Sequence, residues 1–130
     1  MIVFDAGALI AHLDAADAHH AEAVAVMEEL EELEFGASAL TVAETLVRPA
    51  MNGRADEVLA AFERLHLLQF PIDAADALSI ARVRAETRLR MPDAVVVQLA
   101  EAEQGEIVTS DVRLAVAARA RGIGVRRLGE

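Results

Sequence analysis

Four carboxylates in this chain stand among residues that favour apolar surroundings. Asp5 lies between "MIVF" and "AGALIAHL", Glu44 sits inside "LTVAETLV", Asp93 opens "DAVVVQLA", and Asp111 closes "IVTSD". Acids in such company are seldom buried without a partner. Each has a modest explanation of its own. Asp5, Asp93 and Asp111 occupy positions suited to a helix N-cap, and Glu44 has Arg48 four residues on, within reach of a helix ion pair. The same pattern four times points instead to convergence on a shared cation. Two carboxylates ~4 Å apart repel by roughly 4 kcal/mol at an effective dielectric of ~20, so a pocket of several needs Mg²⁺, Mn²⁺ or shared protons. Hard divalent ions prefer oxygen ligands. One or two of them would generate a hydroxide and stabilise both oxygens of an in-line phosphodiester displacement. No Cys, Ser-His pair or glycine-rich phosphate loop offers a competing chemistry.

Such convergence needs a scaffold, and short apolar runs alternating with helical periods supply one. Ile2 to Asp5 reads as a buried strand and Ala8 to Leu13 as a short helix. A helix is predicted from His19 to Leu33, with Val24, Met27, Leu30 and Leu33 at helical spacing, followed by a strand over Glu34 to Ala37. Ser38 or Thr41 caps a helix carrying Val42, Leu46 and Val47 through Met51, closed by Asn52-Gly53, and Asp56 to Leu65 forms the next. Leu67 to Ile72 is a strand broken at Pro71, and Asp73 caps a helix over Ala74 to Thr87 with Leu78, Ala81 and Val83 inward. After the loop "RLRMP", Asp93 opens a helix through Glu103, Glu106 to Thr109 is a strand, Arg113 to Arg121 a helix, and Val125 to Leu128 a final strand. Strands alternating with helices imply a parallel five-stranded sheet covered on both faces. In such a sheet ligands bind outside the carboxyl ends of the strands, which places Asp5 and Asp111 on one rim.

Composition narrows the possibilities. At 130 residues and 55% hydrophobic content, one domain spanning 1–130 with a real core is expected. Cysteine is absent, which removes disulfides and thiolate sites. The start lacks a basic leader and no apolar run approaches the ~20 residues of a membrane span, so a cytoplasmic protein without membrane contact is expected. The net charge of -10 argues against nucleic-acid binding driven by counterion release alone. Every basic residue is Arg. Arg82, Arg84, Arg88 and Arg90, leading to Asp93, are candidates for a local basic path toward a phosphate backbone. The absence of Lys excludes a receiver-like signalling domain, which gathers acids at strand ends but needs a late Lys.

The segments "MIVFDAGALIAHL", "LTVAETL", "MPDAVVVQLA" and "IVTSDVRL" resemble, in order and spacing, the four acidic segments of a PIN domain, and specifically of the VapC-type ribonuclease toxins. The resemblance covers nearly the whole chain. It implies an α/β/α sandwich and an Mg²⁺- or Mn²⁺-dependent endoribonuclease acting on structured RNA of the tRNA or rRNA class. It also implies a homodimer held inactive by a cognate antitoxin protein. Carried over by position, the acidic quartet is Asp5, Glu44, Asp93 and Asp111, with Asp5 and Asp93 as primary metal ligands, and Thr109 is the hydroxyl residue two before the last acid. Where family members often have a hydroxyl or amide after the first acid, this chain has Ala6-Gly7, and Gly7 would let a backbone N–H approach a phosphate. The rival expectation is a non-catalytic PIN-like module that binds partner proteins through its apolar helices.

Overall fold

A computed structural model describes all residues, 1–130. Five strands, β1 (Ile2–Phe4), β2 (Phe35–Ser38), β3 (Leu68–Phe70), β4 (Glu106–Thr109) and β5 (Val125–Arg127), form one parallel sheet in the order β3-β2-β1-β4-β5. Registers such as Val3 with Gly36 and Phe4 with Val108 align β1 between its neighbours. Central strands covered on both faces cannot alternate polar and apolar residues. Hence "IVF" is continuously buried, Ile2 and Phe4 packing into one core and Val3 into the other.

Seven helices build the outer layers: α1 (Ala6–Leu13), α2 (His20–Glu29), α3 (Ala39–Met51), α4 (Ala55–Arg64), α5 (Ala77–Thr87), α6 (Met91–Ala102) and α7 (Val112–Ala120). Leu9, Met27, Val42 and Phe62 carry α1 to α4 into the core with Ile2 and Phe4, where Phe4 and Phe35 meet edge to face at 5.2 Å. Val83, Val97 and Leu114 carry α5, α6 and α7 into the core with Val3 and Ile107. The expected three-layer α/β/α sandwich is therefore the observed fold. No helix is long and apolar enough to cross a membrane.

Several boundaries differ from the sequence reading for local reasons. α2 stops at Glu29, because Leu30 to Leu33 form a turn closed by the Leu33 N–H to Leu30 carbonyl bond, which leaves Leu33 exposed. A 3-10 turn over Ala74–Asp76 precedes α5, whose inward pair is Ile80 and Val83, while Leu78 and Ala81 face out. Ser38, not Thr41, caps α3: its Oγ accepts the Thr41 N–H at 3.1 Å. α6 begins at Met91 rather than Asp93. Pro92 fits its first turn because a proline there loses no helical hydrogen bond.

Candidate functional site

β1 and β4 are neighbours at the point where strand order reverses, and that is where an open parallel sheet leaves a crevice at its carboxyl edge. Asp5, the first residue past β1, is buried there and held at both oxygens. Its Oδ1 accepts the Ala8 N–H at 2.8 Å, capping α1, and its Oδ2 accepts the Thr109 hydroxyl. Thr109 ends β4 and is wholly buried. Its oxygen in turn accepts the Asp111 N–H at 2.9 Å, and Asp111 caps α7 by accepting the Leu114 N–H at 3.0 Å. A single hydroxyl thus ties two of the four acids, which come from the ends of adjacent strands. Their capping role is present and leaves oxygen lone pairs for other use, since a carboxylate accepts about four bonds.

Asp93 is different. It lies in the first turn of α6, whose N-cap position is taken by Arg90, so Asp93 does not open this helix as expected, and the modest alternative that it is only an N-cap does not hold. Both its oxygens are free of backbone hydrogen bonds, and its only ion-pair partner is Arg90, Nε to Oδ2 at 3.6 Å. Glu44, expected amid apolar side chains, is exposed on α3 beside exposed Val47, while Val42 and Thr45 turn inward; it pairs with neither Arg48 nor any other cation. The helical period allowed either face, and docking on the core chose the Val42 and Thr45 side. Gly7 is exposed in the first turn of α1, and a Cβ added there would stand 3.6 Å from Ser110 Oγ and 3.7 Å from Asp5 Oδ1. A side chain would fit, so neither space nor backbone conformation requires glycine here.

Electrostatics binds the four acids into one neighbourhood. Burial pushes the Asp5 carboxyl up to about 6; its bonds from Thr109 and Ala8 oppose the rise, and the charges of Asp93 and Asp111 add to it. Asp93 is raised by burial and by Asp111, against the pull of Arg90 and Arg113. Glu44 is raised by partial desolvation and by Asp93, against Arg90. As the side chains lie, no three carboxyl or imidazole groups stand close enough to hold one ion. Sequence reasoning missed Arg113, two residues past Asp111, although a cation beside the last acid of "SDVRL" was its available signal. Arg82, Arg84 and Arg88 do not act on the acids in this way; Arg90 does.

Beside Glu44 runs a groove of about 660 Å³ between α1, α3 and the start of α4, its apolar lining including Ile10, Leu13, Val47, Pro49 and Val58.

Among curated proteins none matches the chain in sequence. Among solved structures, VapBC2 from Rickettsia felis, bound to a DNA fragment from its promoter, superposes with a TM-score of 0.78 at 14% identity, covering 98% of this chain and 99% of that one. FitAcB from Neisseria gonorrhoeae superposes with a TM-score of 0.73 at 20% identity, over 96% of each chain. VapC20 from Mycobacterium tuberculosis, described as a sarcin-ricin loop cleaving toxin, gives a TM-score of 0.72 at 17% identity over 90% of this chain and 95% of that one. At these identities the likeness is one of fold. The family model of the PIN domain matches residues 2–120. With that match over nearly its full length, and with the sheet order and acidic rim just described, the chain belongs to the PIN domain family.

Proposed function

We propose that this chain is an Mg²⁺- or Mn²⁺-dependent endoribonuclease, one nuclease domain over residues 1–130, acting in the cytoplasm as the toxin of a toxin-antitoxin pair. The observation that carries this reading is the mutual electrostatic coupling of Asp5, Asp93 and Asp111 at the carboxyl edge of β1 and β4, with Asp5 held ready at both oxygens. An all-carboxylate donor set with no resident Lys and one loosely held Arg fits a hard divalent cation. Asp5 and Asp93 would hold it, with Glu44 and Asp111 completing the set directly or through water. When bound, the ion supplies a water of lowered pKa and Lewis-acid stabilisation of the phosphoryl oxygens.

The chain's own contribution is placement. Thr109, expected from sequence to be a positioning group, acts through Asp5: its hydroxyl points at that carboxylate, not toward solvent. Gly7 leaves a phosphate free to approach the first turn of α1. The proposed substrate is a structured RNA of the transfer or ribosomal class; the description of VapC20 as a sarcin-ricin loop cleaving toxin supports a folded loop as its target. Only four Phe and no Trp or Tyr are available for stacking on bases, which favours recognition of backbone and shape.

The apolar groove beside Glu44 fits a helix of a cognate antitoxin, which would cover one wall of the acidic site. Leu78, Met91, Val112 and Val116, exposed on the layer of α5, α6 and α7, fit a second copy of the chain.

The test is cleavage of a panel of transfer and ribosomal RNAs by the purified protein, with 5′ ends mapped. Cutting at discrete sites with Mg²⁺ or Mn²⁺ and none in EDTA is the expected result; metal-independent cutting overturns it. A folded protein that cuts nothing and arrests no growth on expression favours the interaction module instead. Within the same assay, Thr109→Val should lower kcat about 10- to 100-fold, the usual cost of losing a group that orients a metal ligand. The variant leaves Asp5 Oδ2 and the Asp111 N–H without their partner, and unchanged kcat would show that this tie is dispensable.

A further inference from the structure

Of the twelve arginines, four are held in surface ion pairs, seven, Arg113 among them, are in none, and Arg90 alone pairs with an acid of the rim. Arg54 bridges Glu57 at 3.1 Å, Arg119 bridges Glu130 at 3.0 Å, Arg121 reaches Glu86 at 2.6 Å and Glu101 at 3.0 Å, and Arg126 reaches Glu29 at 3.0 Å. Arg90 is held more loosely, at 3.6 Å from Asp93, and its side chain is 75% exposed while that of Asp93 is 14% exposed. The guanidinium therefore stands in water with most of its donors free, beside an acid that faces the site.

Its place in the backbone has no structural advantage. Arg90 is the N-cap of α6, where a side chain without an acceptor satisfies no helical N–H and a positive charge opposes the helix dipole. The same arrangement recurs at α4, where Arg54 is the N-cap and pairs with Glu57 three residues on. There both partners are more than two-thirds exposed and the pair is a surface contact. At α6 the acid belongs to the rim of Asp5 and Asp111, and the charge of Arg90 acts on Glu44 as well. In a chain of net charge -10, a phosphate strand approaching this rim meets repulsion unless a cation there is free to receive it. An Arg fork suits that task better than a Lys.

We infer that Arg90 grips a phosphate of the RNA strand at this site, and that its pairing with Asp93 would compete with a divalent cation for that carboxylate. The inference rests on the nuclease reading above and adds a substrate-holding residue to it. Two consequences follow from this placement. Removing the guanidinium weakens RNA binding, and it removes a competitor of the metal for Asp93.

The experiment compares wild type, R90Q, R90K and R119Q, using a fluorescein-labelled RNA stem-loop that the wild type cleaves and, separately, Mn²⁺ alone by calorimetry. R90Q is expected to raise KM about tenfold with kcat within about twofold. It should also reduce the salt dependence of log(kcat/KM) by about 0.7, one phosphate contact on a single strand. Mn²⁺ should bind R90Q about threefold or more tighter than wild type. R90K should keep the salt dependence and recover only part of KM. R119Q makes the same change of charge at the far end of α7 and should match wild type throughout. Unchanged KM and salt dependence in R90Q, or an equal loss in R119Q, overturns the phosphate role. A fall in kcat at constant KM overturns it too. Mn²⁺ affinity equal to or below wild type overturns the competition for Asp93. Failure of the wild type to cleave any RNA with Mn²⁺ sinks the nuclease reading, whereas tighter Mn²⁺ binding by R90Q would then still uphold the competition at Asp93.

Discussion

Asp5→Asn is expected to lower Mg²⁺-supported RNA cleavage by roughly 10³-fold or more at saturating metal. A divalent ion that supplies nucleophile and charge stabilisation is worth several kcal/mol of barrier, and each 1.36 kcal/mol is about tenfold in rate. The substitution is discriminating because Asn preserves the local fold. Its side-chain oxygen still accepts the Ala8 N–H and caps α1, and its amide still meets the Thr109 oxygen. What disappears is the charge. Initial rates on one RNA at matched metal, with circular dichroism to confirm the fold, check this; a variant within about tenfold of wild type removes Asp5 from the metal site and leaves it a helix cap.

The second large effect concerns stability and needs no substrate. The Asp5 carboxyl titrates at about 6 in the folded protein against 3.8 ordinarily, with burial as the first cause. Between these values the native state holds a proton that the unfolded chain has lost. Stability without metal is therefore highest below pH 3.8 as far as this group is concerned, and falls as pH rises through about 6. By pH 7 the cost is about 3 kcal/mol, from 1.36 kcal/mol for each pH unit between the two values. Asp93 and Glu44 are raised as well and act in the same direction. The surface pairs of Glu29 and Glu130 act oppositely, losing stability as pH falls below the ordinary carboxylate range, outside the window from pH 5 to 7.5; within it burial holds His12 below its ordinary value, which adds stability as pH rises, so the difference between wild type and Asp5→Asn, not the wild-type curve alone, isolates the rim. In EDTA at pH 7.5, Asp5→Asn should accordingly be more stable than wild type by up to about 3 kcal/mol, with a flatter pH dependence across that window. Metal reverses the order. An ion bound only by the native state, at ~10 times its dissociation constant, adds roughly 1.4 kcal/mol to wild type, and the variant should lose most of that gain. Urea unfolding at several pH values, with EDTA and with Mg²⁺, measures both. A variant less stable than wild type in EDTA that gains equally from Mg²⁺ contradicts a shared carboxylate site.

A cap and a ligand are not rival explanations at this rim, and that bears on how the acids were legible. Asp5 and Asp111 cap α1 and α7, as their positions before helical runs implied. Capping fixes each carboxylate at the end of its strand, which is what a preorganised site requires. Asp93 differs from them in not capping its helix. With Arg90 at the N-cap and no backbone bond to its side chain, Asp93 keeps more lone pairs free than the capping acids Asp5 and Asp111.

From the sequence alone came the order of strands and helices, the parallel sheet, the four acids and the rim shared by Asp5 and Asp111. These are local or periodic properties: a continuous apolar run marks a strand buried on both faces, and a strand end marks the carboxyl edge. Tertiary structure decided the rest. Whether Glu44 faced the core or solvent, whether Leu78 or Ile80 turned inward, and which of the arginines reached the acids all depend on how helices rotate when they dock. A 3.6-residue period leaves that rotation open whenever two faces are comparably apolar. The tie from Thr109 to Asp5 joins residues 104 positions apart and has no local signature. It exists because β1 and β4, distant in sequence, are neighbours in the sheet, and packing on both faces leaves their ends no other arrangement.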